Sequence, residues 1–137
     1  HLRQHARHSR SARGDRVVLA DVNSNLGRQV AEEVIGPAGP AAFHDLDVRE
    51  ESSVNELIEW VEVEVGPIDV LVNSAGVLQN PMPITELPME DHDRMWDINN
   101  RGLYMCCRAV APFMKARGRG NIINIASTTS FVAWRIL

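Results

Sequence analysis

Between residues 16 and 126 the spacing of apolar positions changes repeatedly, and each change marks an element. Arg16–Val22 (RVVLADV) is a short apolar run that ends on an acid, the pattern of a strand. Ser24–Ile35 continues at helical spacing, with Ser24 as its N-cap and Gly36-Pro37 as its stop. Ala41–Asp47 predicts a second short strand. In Glu50–Val65 the residues Val54, Leu57, Ile58, Val61 and Val65 fall on one helical stripe, closed by Gly66-Pro67. Ile68–Asn73 is apolar except for Asp69, as expected of a strand buried on both faces of a parallel sheet. The proline-containing stretch Val77–Pro88 reads as a loop. Asp91–Arg117 reads as a long helical region, with Met95, Ile98, Gly102, Met105, Cys106 and Ala109 at three- and four-residue steps and Pro112 expected to kink it. Gly118-Arg-Gly120 closes that helix, and Asn121–Ala126 (NIINIA) predicts a last buried strand. Strands and helices therefore alternate, which implies an α/β fold: a doubly wound parallel sheet with right-handed crossovers, forming one domain or part of one.

Composition narrows the function classes. The 137 residues carry a net charge of −4 and few aromatics, which argues against a nucleic-acid partner. No apolar run approaches the roughly 18 residues of a membrane span, so no membrane partner is expected. The only cysteines, Cys106 and Cys107, are adjacent; they suggest neither a disulfide framework nor a zinc site, and favour a reducing, cytoplasmic location. Charge is unevenly placed. Arg3, Arg7, Arg10, Arg13 and Arg16 against Asp15 give the first 16 residues +4, leaving −8 for the remainder. Residues 1–13 form an atypical basic segment with too few apolar positions for an amphipathic helix. His1, His5 and His8 could share a helix face, but exposed histidines at a chain end explain them without a metal.

Candidate chemistry gathers at the carboxyl ends of the predicted strands, where ligands of open α/β sheets bind. Asp21 ends the first strand; a carboxylate there can accept hydrogen bonds from both ribose hydroxyls of an adenosine, or it can be a solvated turn residue. Asp47 can bond an adenine amino group with Val48 against the ring, or serve the dipole of the following helix. Asn73-Ser74-Ala75-Gly76 offers small residues and open backbone to a ligand, although Asn and Gly also suit a plain turn. Asn99 is a poor mid-helix residue. It implies a local irregularity that frees a backbone carbonyl to hold water, or one made for packing with Gly102 permitting close approach. Ser127, after the last strand, is placed to polarise a substrate carbonyl, or is a loop serine.

In this order and spacing, V-V-L-A-D-V, D-L-D-V, D-V-L-V-N-S-A-G, I-N-N-R-G and N-I-I-N-I-A-S resemble the short-chain dehydrogenase/reductase family from about Gly14 to Ser127. N-S-A-G replaces the family's usual N-N-A-G. The resemblance implies a Rossmann-type oxidoreductase that moves a hydride between NAD(P) and a small alcohol or carbonyl substrate. It implies Asp21 at the adenosine ribose, Asp47 and Val48 at the adenine, and Asn73, Ala75 and Gly76 lining the nucleotide site. Asn99 would belong to a proton relay, and Ser127 would orient the substrate oxygen. Asp21 favours NAD over NADP. The long helix that holds Asn99 implies a homo-oligomer in the complete form.

Two family features are missing from these residues. The glycine-rich turn T-G-x-x-x-G-x-G would lie at or before residue 3, and Gly14 is the first glycine. The family's Tyr-x-x-x-Lys follows the serine by roughly a dozen residues; neither Tyr nor Lys follows Ser127, and Tyr104 lies in another helix. Residues 14–137 are therefore expected to be a partial NAD(P)-binding domain lacking the first strand and the C-terminal part. Such a chain is expected to be inactive alone and marginally stable, with unpaired sheet edges. The alternative is a non-catalytic truncated module that binds a full-length relative through its long helix.

Overall fold

A computed structural model describes residues 15–36, 39–79 and 81–127; the basic segment 1–13 and its histidines lie outside them. In chain order the elements are β1 (Val18–Asp21), α1 (Ser24–Glu33), β2 (Ile35–Gly36), β3 (Gly39–Pro40), β4 (Ala42–Asp45), α2 (Glu51–Trp60), β5 (Val70–Asn73), α3 (Met89–Trp96), α4 (Leu103–Arg117) and β6 (Asn121–Asn124). This is the α/β alternation of a Rossmann-type fold. Two compact units result. One takes in residues up to Asp47 with Glu56–Gly66, and the other takes in Val48–Asn55 with the chain from Pro67 onward.

In the first unit β1 and β4 pair in parallel, with Val18 opposite Ala42 and Asp21 opposite Asp45. The Leu46 N–H extends the ladder by donating to the Asp21 carbonyl at 3.1 Å. Helix α1 crosses between them and packs on both strands. It does so through Gly27 and Ala31, both buried and one turn apart. Gly27 has no side chain because the Phe43 ring fills the space a Cβ would need. The N-cap is Asn23 and not Ser24: Asn23 Oδ1 accepts from the Leu26 N–H at 3.1 Å. The Ser24 hydroxyl donates instead to Asp45, across to the end of β4. The helix stops at Glu33, short of Ile35, because Ile35–Gly36 turns into an antiparallel pairing with Gly39–Pro40. Strands of two residues carry no periodicity, so this hairpin is invisible in the sequence pattern.

Helix α2 buries Val54, Leu57 and Ile58 along the expected stripe. It widens into a π-turn over Val61–Val65, where the Gly66 N–H reaches five residues back to the Val61 carbonyl at 2.7 Å. Gly66 ends it at φ 129°, a conformation that favours glycine.

In the second unit β5 and β6 are parallel, with Val70 opposite Asn121 and Asn73 opposite Asn124. After a short 3₁₀ turn at Ile84–Glu86 the backbone stays helical from α3 through a second π-turn, Asp97–Gly102, into α4. Pro112 sits inside α4 without ending it. Gly118 ends it in the left-handed region at φ 66°; its N–H donates to the Lys115 carbonyl and that of Arg119 to the Met114 carbonyl. This double closure satisfies carbonyls that a helix end would otherwise leave unpaired. The helix end is tied to the start of β5 by Arg117 Nη2, which donates to the Ile68 carbonyl at 3.0 Å, and by Arg119 with Asp69 at 3.4 Å.

A further expectation fails here. The apolar runs of β5 and β6 predict burial on both faces, yet Val72, Ile122 and Ile123 keep 45%, 38% and 42% of their surface and Ile125 keeps 58%. Among the described residues α4 packs on β5, and no helix makes comparable contact with β6. The apolar composition of these strands is suited to a sheet with a layer on each side, and burial follows the layers that are present.

At Gly102 the helix comes close against Val48, in the segment before α2. A Cβ there would lie 2.7 Å from Val48 Cγ2 and 3.0 Å from the Val48 carbonyl oxygen. Gly102→Ala should therefore cost about 1–3 kcal/mol in urea denaturation, the usual cost of overpacking. Trimming the neighbour in Val48→Ala/Gly102→Ala should recover part of that loss, as contacting sites are non-additive.

Candidate functional site

The carboxyl ends of β5 and β6 lie side by side and are closed by a cross-strand asparagine pair. Asn73 Nδ2 donates to Asn124 Oδ1 at 2.9 Å and lies 3.3 Å from Cys107 Sγ on α4. One side chain thus links both strands and the helix behind them. Beside it, Cys106 is buried, and burial is the main cause that pushes its thiol up from 9.0 to about 11, the neighbouring Cys107 adding to the rise. Neither cysteine is in a disulfide. Asn124 and Cys107 do not stand out in the sequence as site residues. The available signal is that both apolar runs, V-L-V-N and N-I-I-N, end on an asparagine.

Beyond Asn73 the chain turns through Ser74, Ala75 and Gly76, the last two exposed. A Cβ on Gly76 would meet only Asn99 Oδ1, at an ordinary 3.5 Å, so internal packing does not require the glycine. Val77 is more constrained. Its N–H donates to Asn99 Oδ1 at 2.8 Å, and Asn99 Nδ2 donates to the Val77 carbonyl at 2.9 Å. The side-chain amide acts as a strand neighbour would, satisfying both backbone groups of Val77. Asn99 reaches it from within the π-turn Asp97–Gly102. The sequence predicts an irregularity at Asn99, and the wide turn is that irregularity; the use of the side chain is visible only in three dimensions.

The remaining candidates stand at other strand ends. Ser127 is exposed, three residues past the end of β6. In the first unit Asp21 is exposed at the end of β1; its Oδ1 accepts from the Asn23 N–H at 2.9 Å, the turn role anticipated for a strand-end Asp. Its other oxygen has no hydrogen bond among the described residues. Asp47 is half-buried two residues past β4, and Val48 is buried against Gly102. Asn73, Ala75, Gly76 and Asn99 are thus brought together around one turn of the second unit. Asp21 and Asp47 belong to the first unit.

The short chain dehydrogenase model matches residues 6–136. This chain belongs to the short chain dehydrogenase family. Among curated relatives, it is 36% identical over 126 residues to 2-(R)-hydroxypropyl-CoM dehydrogenase of Xanthobacter autotrophicus, covering 90% of this chain and 50% of the relative. It is 33% identical to 2-dehydro-3-deoxy-L-rhamnonate dehydrogenase (NAD(+)) of a Sphingomonas species, covering 76% of this chain and 50% of that protein. Among solved structures, gluconate 5-dehydrogenase of Burkholderia cenocepacia, in complex with NADP and tartrate, superimposes with a TM-score of 0.79 at 32% identity over 93% of this chain and 51% of that one. The chain spans about half the length of the curated relatives it matches. No helix among the described residues is long and apolar enough to cross a membrane.

Two outcomes are expected of this geometry. Asn99→Ala removes both bonds to Val77 and should cost about 1–3 kcal/mol by chemical denaturation. Faster amide exchange at Val77 should accompany the loss. Cys106 should resist iodoacetamide at pH 8 in the folded chain and react only after unfolding, because its thiolate forms near pH 11. Mass spectrometry of the alkylated peptide distinguishes it from Cys107.

Proposed function

We propose that this chain belongs to an oxidoreductase that exchanges a hydride between NAD and a small alcohol or carbonyl compound. The observation that carries the choice of cofactor is Asp21, exposed at the carboxyl end of a parallel strand with one carboxylate oxygen uncommitted among the described residues. A carboxylate in that place accepts hydrogen bonds from ribose hydroxyls and repels a 2′-phosphate. The residues fit such a group. Ala75 and Gly76 leave backbone exposed after β5, and the Asn99 clasp holds the following residue still, so a ligand meets a preformed edge. Asp47 and Val48 would hold the adenine, although little of Val48 reaches solvent. Asn73, Ala75 and Gly76 would line the nucleotide. Ser127 would hydrogen-bond the substrate oxygen, and Asn99 would fix the backbone beside the reacting centre. When bound, the nicotinamide supplies the hydride acceptor or donor.

These 137 residues contain no Tyr-x-x-x-Lys; Tyr104 is followed four positions later by Arg108. A general acid/base contributes about 10²–10⁴-fold to such reactions. By themselves the residues are therefore proposed to bind rather than turn over. Residues 14–137 act in this reading as part of an NAD(P)-binding domain, in a cytoplasmic, homo-oligomeric parent. The second reading, a non-catalytic partner of a complete relative, draws support from Trp96 and Tyr104, which keep 57% and 62% of their surface on α3 and α4.

Titration of the purified chain with NADH, followed by nicotinamide fluorescence, tests the main reading. Saturable binding is expected, weakened on the order of tenfold by Asp21→Ala through loss of charge-assisted hydrogen bonds. An Asp21→Ala chain that binds NADH as well as the parent would exclude the assigned role.

A further inference from the structure

Two carboxylates stand side by side at the carboxyl ends of β1 and β4, because the parallel register sets Asp21 opposite Asp45. Neighbouring strands are about 4.8 Å apart. Their surroundings differ. Both Asp45 oxygens are committed: Oδ1 accepts from the Ser24 hydroxyl, and Oδ2 accepts from Arg28 Nη2 at 3.2 Å. Asp21 holds only the Asn23 N–H among the described residues, through one oxygen. Arg28 is itself held from a second side, its guanidinium lying 5.2 Å from the centre of the Phe43 ring. Phe43 in turn packs where Gly27 lacks a side chain. Gly27, Phe43, Arg28, Asp45 and Ser24 thus form one connected set within the first unit.

From this set we infer that Asp45 sets dinucleotide selectivity by occupying Arg28, so that the cation held at this edge is unavailable to a 2′-phosphate. The inference rests on the reading of Asp21 as the ribose ligand and deepens it. A planar guanidinium is the side chain best suited to grip a phosphate. One bound to the strand neighbour of the ribose carboxylate would favour NADP if it were released. Engaged by Asp45 and held over the Phe43 ring, it is neutralised, and the Asp21 charge governs the edge. Asp45 is a positioning residue in this scheme: it acts through Arg28 and touches no ligand. Arg28 and Asp45 are both more than half exposed, so their attraction alone is weak. The Ser24 hydroxyl and the Phe43 ring supply the additional restraint that holds the pair in one geometry.

The test is a matrix of dissociation constants for NADH and NADPH, by nicotinamide fluorescence, on four chains: the parent, Asp45→Asn, Arg28→Ala and Asp45→Asn/Arg28→Ala. Asparagine keeps the size of Asp45 and an acceptor for Ser24 while removing the charge that holds Arg28. The parent should prefer NADH. Asp45→Asn should move the NADPH-to-NADH preference toward NADPH by on the order of tenfold. The double variant should return to the parent's preference. The shift should shrink as salt rises from roughly 0.05 to 0.5 M, as screening requires. An unchanged preference in Asp45→Asn, with NADH still bound, overturns the inference and leaves the reading of Asp21 standing. A shift that persists in the double variant also overturns it, because mere loss of negative charge would then suffice. A parent chain that binds neither dinucleotide overturns both.

Discussion

A single side-chain amide holds the second unit in its working shape. Strand β5 ends at Asn73, and four residues later the Val77 backbone must be satisfied with no strand beside it. Asn99 does this with two bonds of 2.8 and 2.9 Å, one to each backbone group. An unpaired backbone group costs more than a formed bond gains, so the turn between them is fixed by this clasp. The π-turn Asp97–Gly102 brings the amide to Val77, and Gly102 at the end of that turn lets the rod approach Val48. The helix, the turn and the strand end are therefore one mechanical unit.

The first unit solves the corresponding problem with charge. Its strands end in Asp21 and Asp45 side by side, a repulsive arrangement in isolation. Arg28 and Ser24 absorb one of the two acids, and the Asn23 N–H partly satisfies the other. Asn23 also caps α1, so the first turn of that helix depends on the same short segment that orients Asp21.

Much of this is legible in the amino-acid sequence. The order of strands and helices is visible because apolar spacing reports local geometry, and Asp21, Asn73, Asn99 and Ser127 stand where runs end or where a residue type is out of place. Three things are not legible, for physical reasons. Burial of β5 and β6 depends on which layers surround them, and an apolar run records only that it suits burial. The pairing of Asn73 with Asn124 depends on strand register, which no local pattern states. The N-cap falls on Asn23 in place of Ser24 because a serine can be recruited by a distant carboxylate, here Asp45. The family match extends over nearly the whole chain, while the chain spans only half of its relatives' length. What is legible therefore concerns the fold and its strand ends far more than the chemistry of a substrate.

The wide turn in the long helix has a consequence for how this sequence can vary in length. A π-turn holds one residue more than an α-turn, and so takes up the rotation of roughly 100° that an extra residue would impose on a regular α-helix. Deleting one residue between Asp97 and Gly102 would leave an uninterrupted α-helix with its backbone bonds made. The rod would survive with its phase nearly kept: the buried row Cys106, Val110 and Met114 would hold its face, while the wide turn that carries Asn99 would be gone. The wide turn is thus a local store of length, and a one-residue change there is confined to the turn and to the reach of Asn99.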